Sequence, residues 1–133
     1  MTRSVRVSRE LEGIAAKYID TYVVDEADGL LTLVIPTYPL PIGFDRATVR
    51  VAVRIGALYP SEKLDLFWMD PTLRRLDGNG LPNVMGTNIV LGGQSWTQIS
   101  WHDNAPHDPV RSTILGFVQG IRLWFAQQVG AVV

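Results

Sequence analysis

The spacing of apolar residues predicts a strand in the middle of the chain and a helix near each end. Apolar and polar side chains alternate through residues 48–55, which predicts a strand with one buried and one solvated face. Residues 8–20 begin with serine and repeat apolar residues at helical spacing, so they predict a first helix. Residues 111–129 carry a wide apolar stripe and predict a C-terminal helix that packs on the sheet. The shared core is predicted to hold Val49, Val51, Val53, Leu66, Ile121 and Trp124.

Two short β-prone runs flank Asp28-Gly29 and predict a hairpin. They are residues 22–25 and 30–35, and Asp-Gly is a strong signal for a tight turn between strands. Three prolines and a glycine in residues 36–43 then predict an irregular connection, because proline has no N–H to give to a central strand.

The second half of the chain predicts one more strand and a long loop. Residues 64–69 form an apolar run that Asp70-Pro71 ends, and residues 96–101 suit a short strand. Residues 76–93 hold five glycines and three asparagines, which predicts an irregular loop. The predicted fold class is α+β: an N-terminal helix, a four-stranded antiparallel meander, a long loop and a C-terminal helix.

Length, charge and cysteine content narrow the possible functions. The 133 residues predict a single domain spanning 1–133, and 12 basic against 13 acidic residues disfavour a nucleic-acid partner. The absence of cysteine excludes thiolate nucleophiles, disulfides and cysteine-based metal sites in this chain. Neither a signal peptide nor an apolar stretch of about 20 residues is present, so we expect a cytoplasmic protein without membrane contact.

Candidate chemistry centres on the two histidines, each followed by an aspartate. The pairs His102-Asp103 and His107-Asp108 lack the spacing of known metal sites, so we expect no bound metal and no cofactor. Ser100 lacks the nucleophile-elbow sequence that a hydrolase triad would need. The tryptophans at 68, 96, 101 and 124 have apolar neighbours, and we expect about three of the four to be core residues.

Several short landmarks resemble the ubiquitin-conjugating-enzyme (UBC) fold. They are Tyr59-Pro60 before the last meander strand, Leu81-Pro82-Asn83 opening the long loop, and Trp96 further on. The stretch from Tyr59 through Trp68, with the later Ser100 and His102, is similar to a bacterial branch of that superfamily. The resemblance implies an association with ubiquitin-like proteins, ubiquitin-activating-enzyme-like proteins and a metalloprotease that removes the modifier.

The resemblance also implies that the usual catalytic residues are degenerate. Leu81-Pro82-Asn83 matches the family's His-Pro-Asn, with Asn83 on the asparagine that stabilises the oxyanion and Leu81 in place of the histidine. The family's cysteine position falls on Val90 or Leu91, neither of which is a nucleophile.

Two functions therefore remain open. One is a non-catalytic adaptor that binds a ubiquitin-like protein, an activating-enzyme-like protein or both, with residues 76–93 contributing to the contact. The other is an enzyme of altered chemistry that uses His102, with Asp103, as acid or base near Asn83.

Overall fold

Two α-helices and six strands make up the described part of the chain. The computed structural model describes residues 4–101 and 106–130. The elements in chain order are α1 (Val5–Ala15), β1 (Tyr22–Asp25), β2 (Leu31–Pro39), β3 (Thr48–Ile55), β4 (Phe67–Met69), β5 (Val84–Leu91), β6 (Gln94–Ile99) and α2 (Ile114–Val129). The strands pair antiparallel in the order β1-β2-β3-β4-β6-β5. The α+β class is confirmed, but a four-stranded sheet is wrong because β5 and β6 extend it. Among the described residues, neither helix is long and apolar enough to cross a membrane.

Helix α1 begins earlier and ends earlier than residues 8–20. Ser4, not Ser8, caps it: the Ser4 hydroxyl oxygen accepts a hydrogen bond from the Val7 N–H at 3.1 Å. The helix buries Val7, Leu11 and Ile14, whose spacing defines one face. Because Val7 belongs to that face, the helix must start before it.

Strand β2 continues through Pro36 and Pro39, where the sequence predicts an irregular connection. Strand β1 pairs with β2 only as far as Val34, so beyond that point β2 has a neighbour on one side alone. The register with β3 also shifts between Ile35 and Tyr38. An edge position and a bulge both remove the need for an N–H donor, which is why a strand tolerates prolines there.

Residues 76–93 are not a long irregular loop, because Val84–Leu91 forms strand β5 against β6. Gly92 and Gly93, with φ of 55° and 76°, make the two-residue turn between them. The register shifts on both sides of Gly86, and Asn88 has a φ of 58°. The glycines and asparagines therefore mark a turn and two bulges, while the pairing with β6 supplies the strand.

The main core lies between the helices and one face of the sheet. Phe67 meets Trp124 edge-on at a ring distance of 5.4 Å, and the buried Tyr38 hydroxyl donates to the Val118 carbonyl at 2.5 Å. Five of the six predicted core residues lie here. Leu66 does not: it precedes β4 with a φ of 62° and packs against the buried cluster on the other face of the sheet, while Phe67 takes the core position.

A second, smaller core occupies the other face of the sheet. It consists of five buried residues: Val34, Ala52, Trp68, Leu91 and Trp96. The β5–β6 hairpin bends over this face, and its tip reaches the opposite edge, where the Gly92 N–H donates to Glu26 Oε1 at 3.1 Å. The prediction that this face of β3 is solvated is therefore wrong. Together with Trp124, the tryptophans of this cluster confirm that three of the four are buried.

Arg50, on β3, attaches the hairpin to the sheet. Its guanidinium donates to Asp70 Oδ2 at 3.1 Å, to Gln94 Oε1 at 3.0 Å and to the Ser95 carbonyl at 2.7 Å. It also stacks over Trp96, with the guanidinium carbon 4.3 Å from the ring centroid. The position of β5 and β6 thus depends on Arg50, a residue on the face of β3 that the sequence predicts to be solvated.

Candidate functional site

The turn Leu81-Pro82-Asn83 lies between the start of β5 and the second half of α2. Leu81 packs against the main core. Asn83 has a φ of 64°, and its carbonyl accepts a hydrogen bond from the Ser100 N–H at 2.7 Å. Asparagine is one of the few residues that take this left-handed conformation readily. The residue type at position 83 therefore suits the backbone conformation of the turn.

The Asn83 side-chain oxygen is held by a buried indole. Trp124 Nε1 donates to Asn83 Oδ1 at 3.1 Å. Because an amide has only one oxygen, this contact orients Nδ2 away from the indole, and no described residue accepts a hydrogen bond from it. An exposed amide N–H₂ is the kind of donor that can stabilise a developing oxyanion.

The two positions that take the place of the family cysteine lie at the other end of β5. Val90 is 70% exposed, whereas Leu91 is buried in the second core near the hairpin turn. Val84, next to Asn83, pairs with Ile99, and Val90 pairs with Ser95. Four residues of β6, at about 3.3 Å each, therefore separate the two ends of β5 by roughly 13 Å. The structure thus does not bring Asn83 together with Val90 or Leu91.

Of the two histidine–aspartate pairs, the structure describes only His107-Asp108. His102 and Asp103 lie outside the described residues. The imidazole of His107 approaches the Pro60 carbonyl with Nε2 at 2.7 Å, and since a carbonyl only accepts, Nε2 carries the hydrogen. Asp108 accepts from the Val110 N–H at 2.9 Å within its own turn. In residues 4–101 and 106–130, no three histidine or acidic side chains form a group that could hold a metal ion.

A polar cluster between the two helices was not predicted from the sequence. The Glu10 carboxylate accepts from Arg6 Nε at 3.0 Å, from the Tyr59 hydroxyl at 3.0 Å and from the Ile114 N–H at 2.7 Å. Burial, then the hydrogen bond to Glu10, raises the pKa of Tyr59 to about 12. Glu10 thus satisfies an N–H at the start of α2 and interacts favourably with the helix dipole. In the sequence, only the four-residue spacing of Arg6 and Glu10 indicates an ion pair of this cluster.

Exposed apolar side chains lie along β5, the outer strand of the sheet. Val84, Met85 and Val90 are 45%, 57% and 70% exposed. Since β5 pairs with β6 alone, its other edge leaves main-chain groups unpaired by the sheet. Apolar side chains beside such an edge are typical of a surface that binds protein.

A protein-family model matches most of the chain. The family described as prokaryotic E2 family E matches residues 14–128, from the end of α1 to the end of α2. The matched segment includes Asn83, Val90 and Leu91. Neither the curated proteins nor the solved structures gave a match.

Proposed function

The chain belongs to prokaryotic E2 family E, and because it contains no cysteine, we propose that it is a non-catalytic adaptor in a bacterial ubiquitin-like modification system. In this role it binds a ubiquitin-like protein, an activating-enzyme-like protein or both, and carries no thioester. The observation that carries the proposal is the complete lack of cysteine in a chain matched to the family over residues 14–128.

The geometry around Asn83 supports the loss of transfer chemistry. An E2 reaction needs a nucleophile beside the group that stabilises the oxyanion, within a few ångströms. Val90 and Leu91 have apolar side chains, and the length of β5 separates them from Asn83. The Asn83 side-chain oxygen accepts the indole hydrogen bond of Trp124, which ties the turn to α2. In this proposal the turn serves to hold β5 on α2.

The exposed side of β5 is the proposed contact surface. Met85 and Val90 present apolar side chains, and the outer edge of the strand offers main-chain hydrogen bonds to a partner. This assigns binding to the second half of the predicted segment 76–93, as a strand rather than as a flexible loop.

Isothermal titration calorimetry with ubiquitin-like and activating-enzyme-like proteins from bacterial operons tests the adaptor role. We expect a complex that Met85→Glu weakens at least tenfold, since burying an unpaired carboxylate is costly. The matched control is Ile42→Glu, which changes a 95% exposed residue in the β2–β3 connection and should leave affinity unchanged. Equal loss in both variants would refute the assignment to β5, and no binding to any protein tested would contradict the adaptor role.

A second assay addresses the alternative function. The chain is mixed with the activating enzyme, the modifier and ATP, and products are separated with and without thiol reductant. We expect no thiol-labile adduct on this chain. Turnover of the modifier that disappears in His102→Ala, without a stable complex, would favour an enzyme that uses His102 as acid or base.

A further inference from the structure

A groove on the side of the molecule away from β5 has the composition of a peptide-binding site. It encloses about 450 Å³ between the end of α1, the end of β2 and the middle of α2. Its wall and floor are aromatic: Tyr18 stacks on the buried Tyr38 with ring centroids 5.7 Å apart and an interplanar angle of 11°. The run Pro39-Leu40-Pro41 forms the facing wall.

The floor of the groove is held rigidly. Tyr38 also packs on Phe125 at 6.0 Å, and its hydroxyl donates to the Val118 carbonyl. Burial raises the pKa of Tyr38, so this phenol stays neutral across the physiological range. Tyr38 is itself buried, so the ring that the groove presents is that of the half-buried Tyr18, and the fixed Tyr38 backs it. A backed ring is a preformed surface, which reduces the entropic cost of binding.

One cation lies at the groove without a carboxylate partner. Among the described residues that line the groove, Arg122 alone is charged. Its side chain is exposed on α2 and forms no ion pair or hydrogen bond with any described residue. It lines the same groove as Tyr18 and Tyr38, so its charge lies beside the aromatic wall. The other polar side-chain group that lines α2 here is the amide of Gln119.

The dimensions suit a short extended segment. The lining residues of α2 run from Gln119 to Ala126, which is about 10 Å along a helix axis. Three residues of polyproline II conformation span about 9 Å. Tyrosine and proline walls are the surfaces on which proline-containing segments bind, and an unpaired arginine at the rim selects an acidic neighbour.

We propose that the groove between Tyr18, Pro39-Leu40-Pro41 and Arg122 binds an extended, proline-containing segment of a partner protein with an acidic side chain next to its prolines. The proline lies on the Tyr18 ring, which Tyr38 backs, and the carboxylate pairs with Arg122. This site is independent of the proposed contact at β5.

Fluorescence anisotropy with three synthetic peptides tests the proposal. All three are acetylated and amidated eight-residue peptides carrying a fluorophore: one with two prolines and a glutamate, one with glutamine in place of the glutamate, and one with alanines in place of the prolines. We expect the first to bind best. The glutamine peptide should bind roughly threefold to fivefold more weakly, as for an exposed ion pair. A result in which all three peptides bind equally, or none binds, would overturn the proposal.

Variants of the protein locate the site. Arg122→Gln should weaken the glutamate peptide and leave the glutamine peptide unchanged, because it removes only the ion pair. Tyr18→Ala should weaken both, whereas Tyr18→Phe should retain most of the affinity because the ring remains. The control is Arg111→Gln, whose side chain is 88% exposed and lies before α2. If Arg111→Gln lowers affinity as much as Arg122→Gln, binding is non-specific attraction to basic residues and the proposal is wrong.

Discussion

Replacing Arg50 by methionine should release the β5–β6 hairpin from the sheet. The change keeps an apolar stem beside Trp96 but removes three hydrogen bonds of 3.1, 3.0 and 2.7 Å to Asp70, Gln94 and Ser95. Hydrogen bonds from charged groups contribute about 1.5–3 kcal/mol each. Because the Arg50 side chain is 24% exposed, water replaces part of them, and the methionine recovers some apolar burial. We expect the free energy of unfolding to fall by about 3 kcal/mol.

Urea unfolding monitored by tryptophan fluorescence measures this loss. For an m-value of about 2 kcal/mol/M, the midpoint should fall by about 1.5 M. Arg46→Met is the matched control, since Arg46 binds the adjacent Asp45 and Thr72 at the surface and should contribute less than about 1 kcal/mol. Amide hydrogen exchange should show the loss of protection first in β5 and β6. Equal midpoints for the two variants would refute the role of Arg50 in fastening the hairpin.

Three further predictions concern the turn at Asn83, the acid sensitivity of the fold and the missing cysteine. Asn83→Ala should lower the free energy of unfolding, measured in urea, by about 1–3 kcal/mol more than Asn88→Ala does. Both variants replace an asparagine in the left-handed conformation, but only Asn83→Ala leaves the Trp124 indole without its hydrogen-bond partner. Equal losses would contradict this. Burial works to raise the pKa of Asp70, but hydrogen bonds from Thr72 and Arg50 outweigh it and lower the pKa. The stability that the ionised Asp70 carboxylate contributes is therefore present at neutral pH and is lost as pH falls below about 4, through the folded-state pKa. The unfolding midpoint of Asp70→Asn should vary less between pH 5 and pH 2 than that of the wild type. On non-reducing gels, Val90→Cys should form no more thiol-labile adduct with an activated modifier than the control Ile42→Cys, which also places a cysteine at an exposed position. An adduct confined to Val90→Cys would show that a transfer site remains.

The local pattern of the sequence determined most of the elements around the main core. Strict alternation predicted the full extent of β3, Thr48–Ile55, because Val49, Val51, Val53 and Ile55 all face the helices. The turn at Asp28-Gly29 gave the β1–β2 hairpin, since both residues have positive φ. The composition itself shows that this sequence has no cysteine to serve as a nucleophile, without reference to any structure.

Only the tertiary structure decided that residues 84–91 are a strand and where that strand lies. Glycine and asparagine have low strand propensity, so the local signal favours a loop, and the ladder with β6 overrides it. The same fold places Arg50 over Trp96 and covers a face of β3 that alternation alone predicts to be solvated. It also separates Asn83 from Val90, because the pairing with β6 spreads the residues between them over roughly 13 Å, whereas in a loop they could return to the same point. Distances between residues near in sequence depend on the backbone conformation that long-range pairing selects, and the sequence pattern does not contain that information.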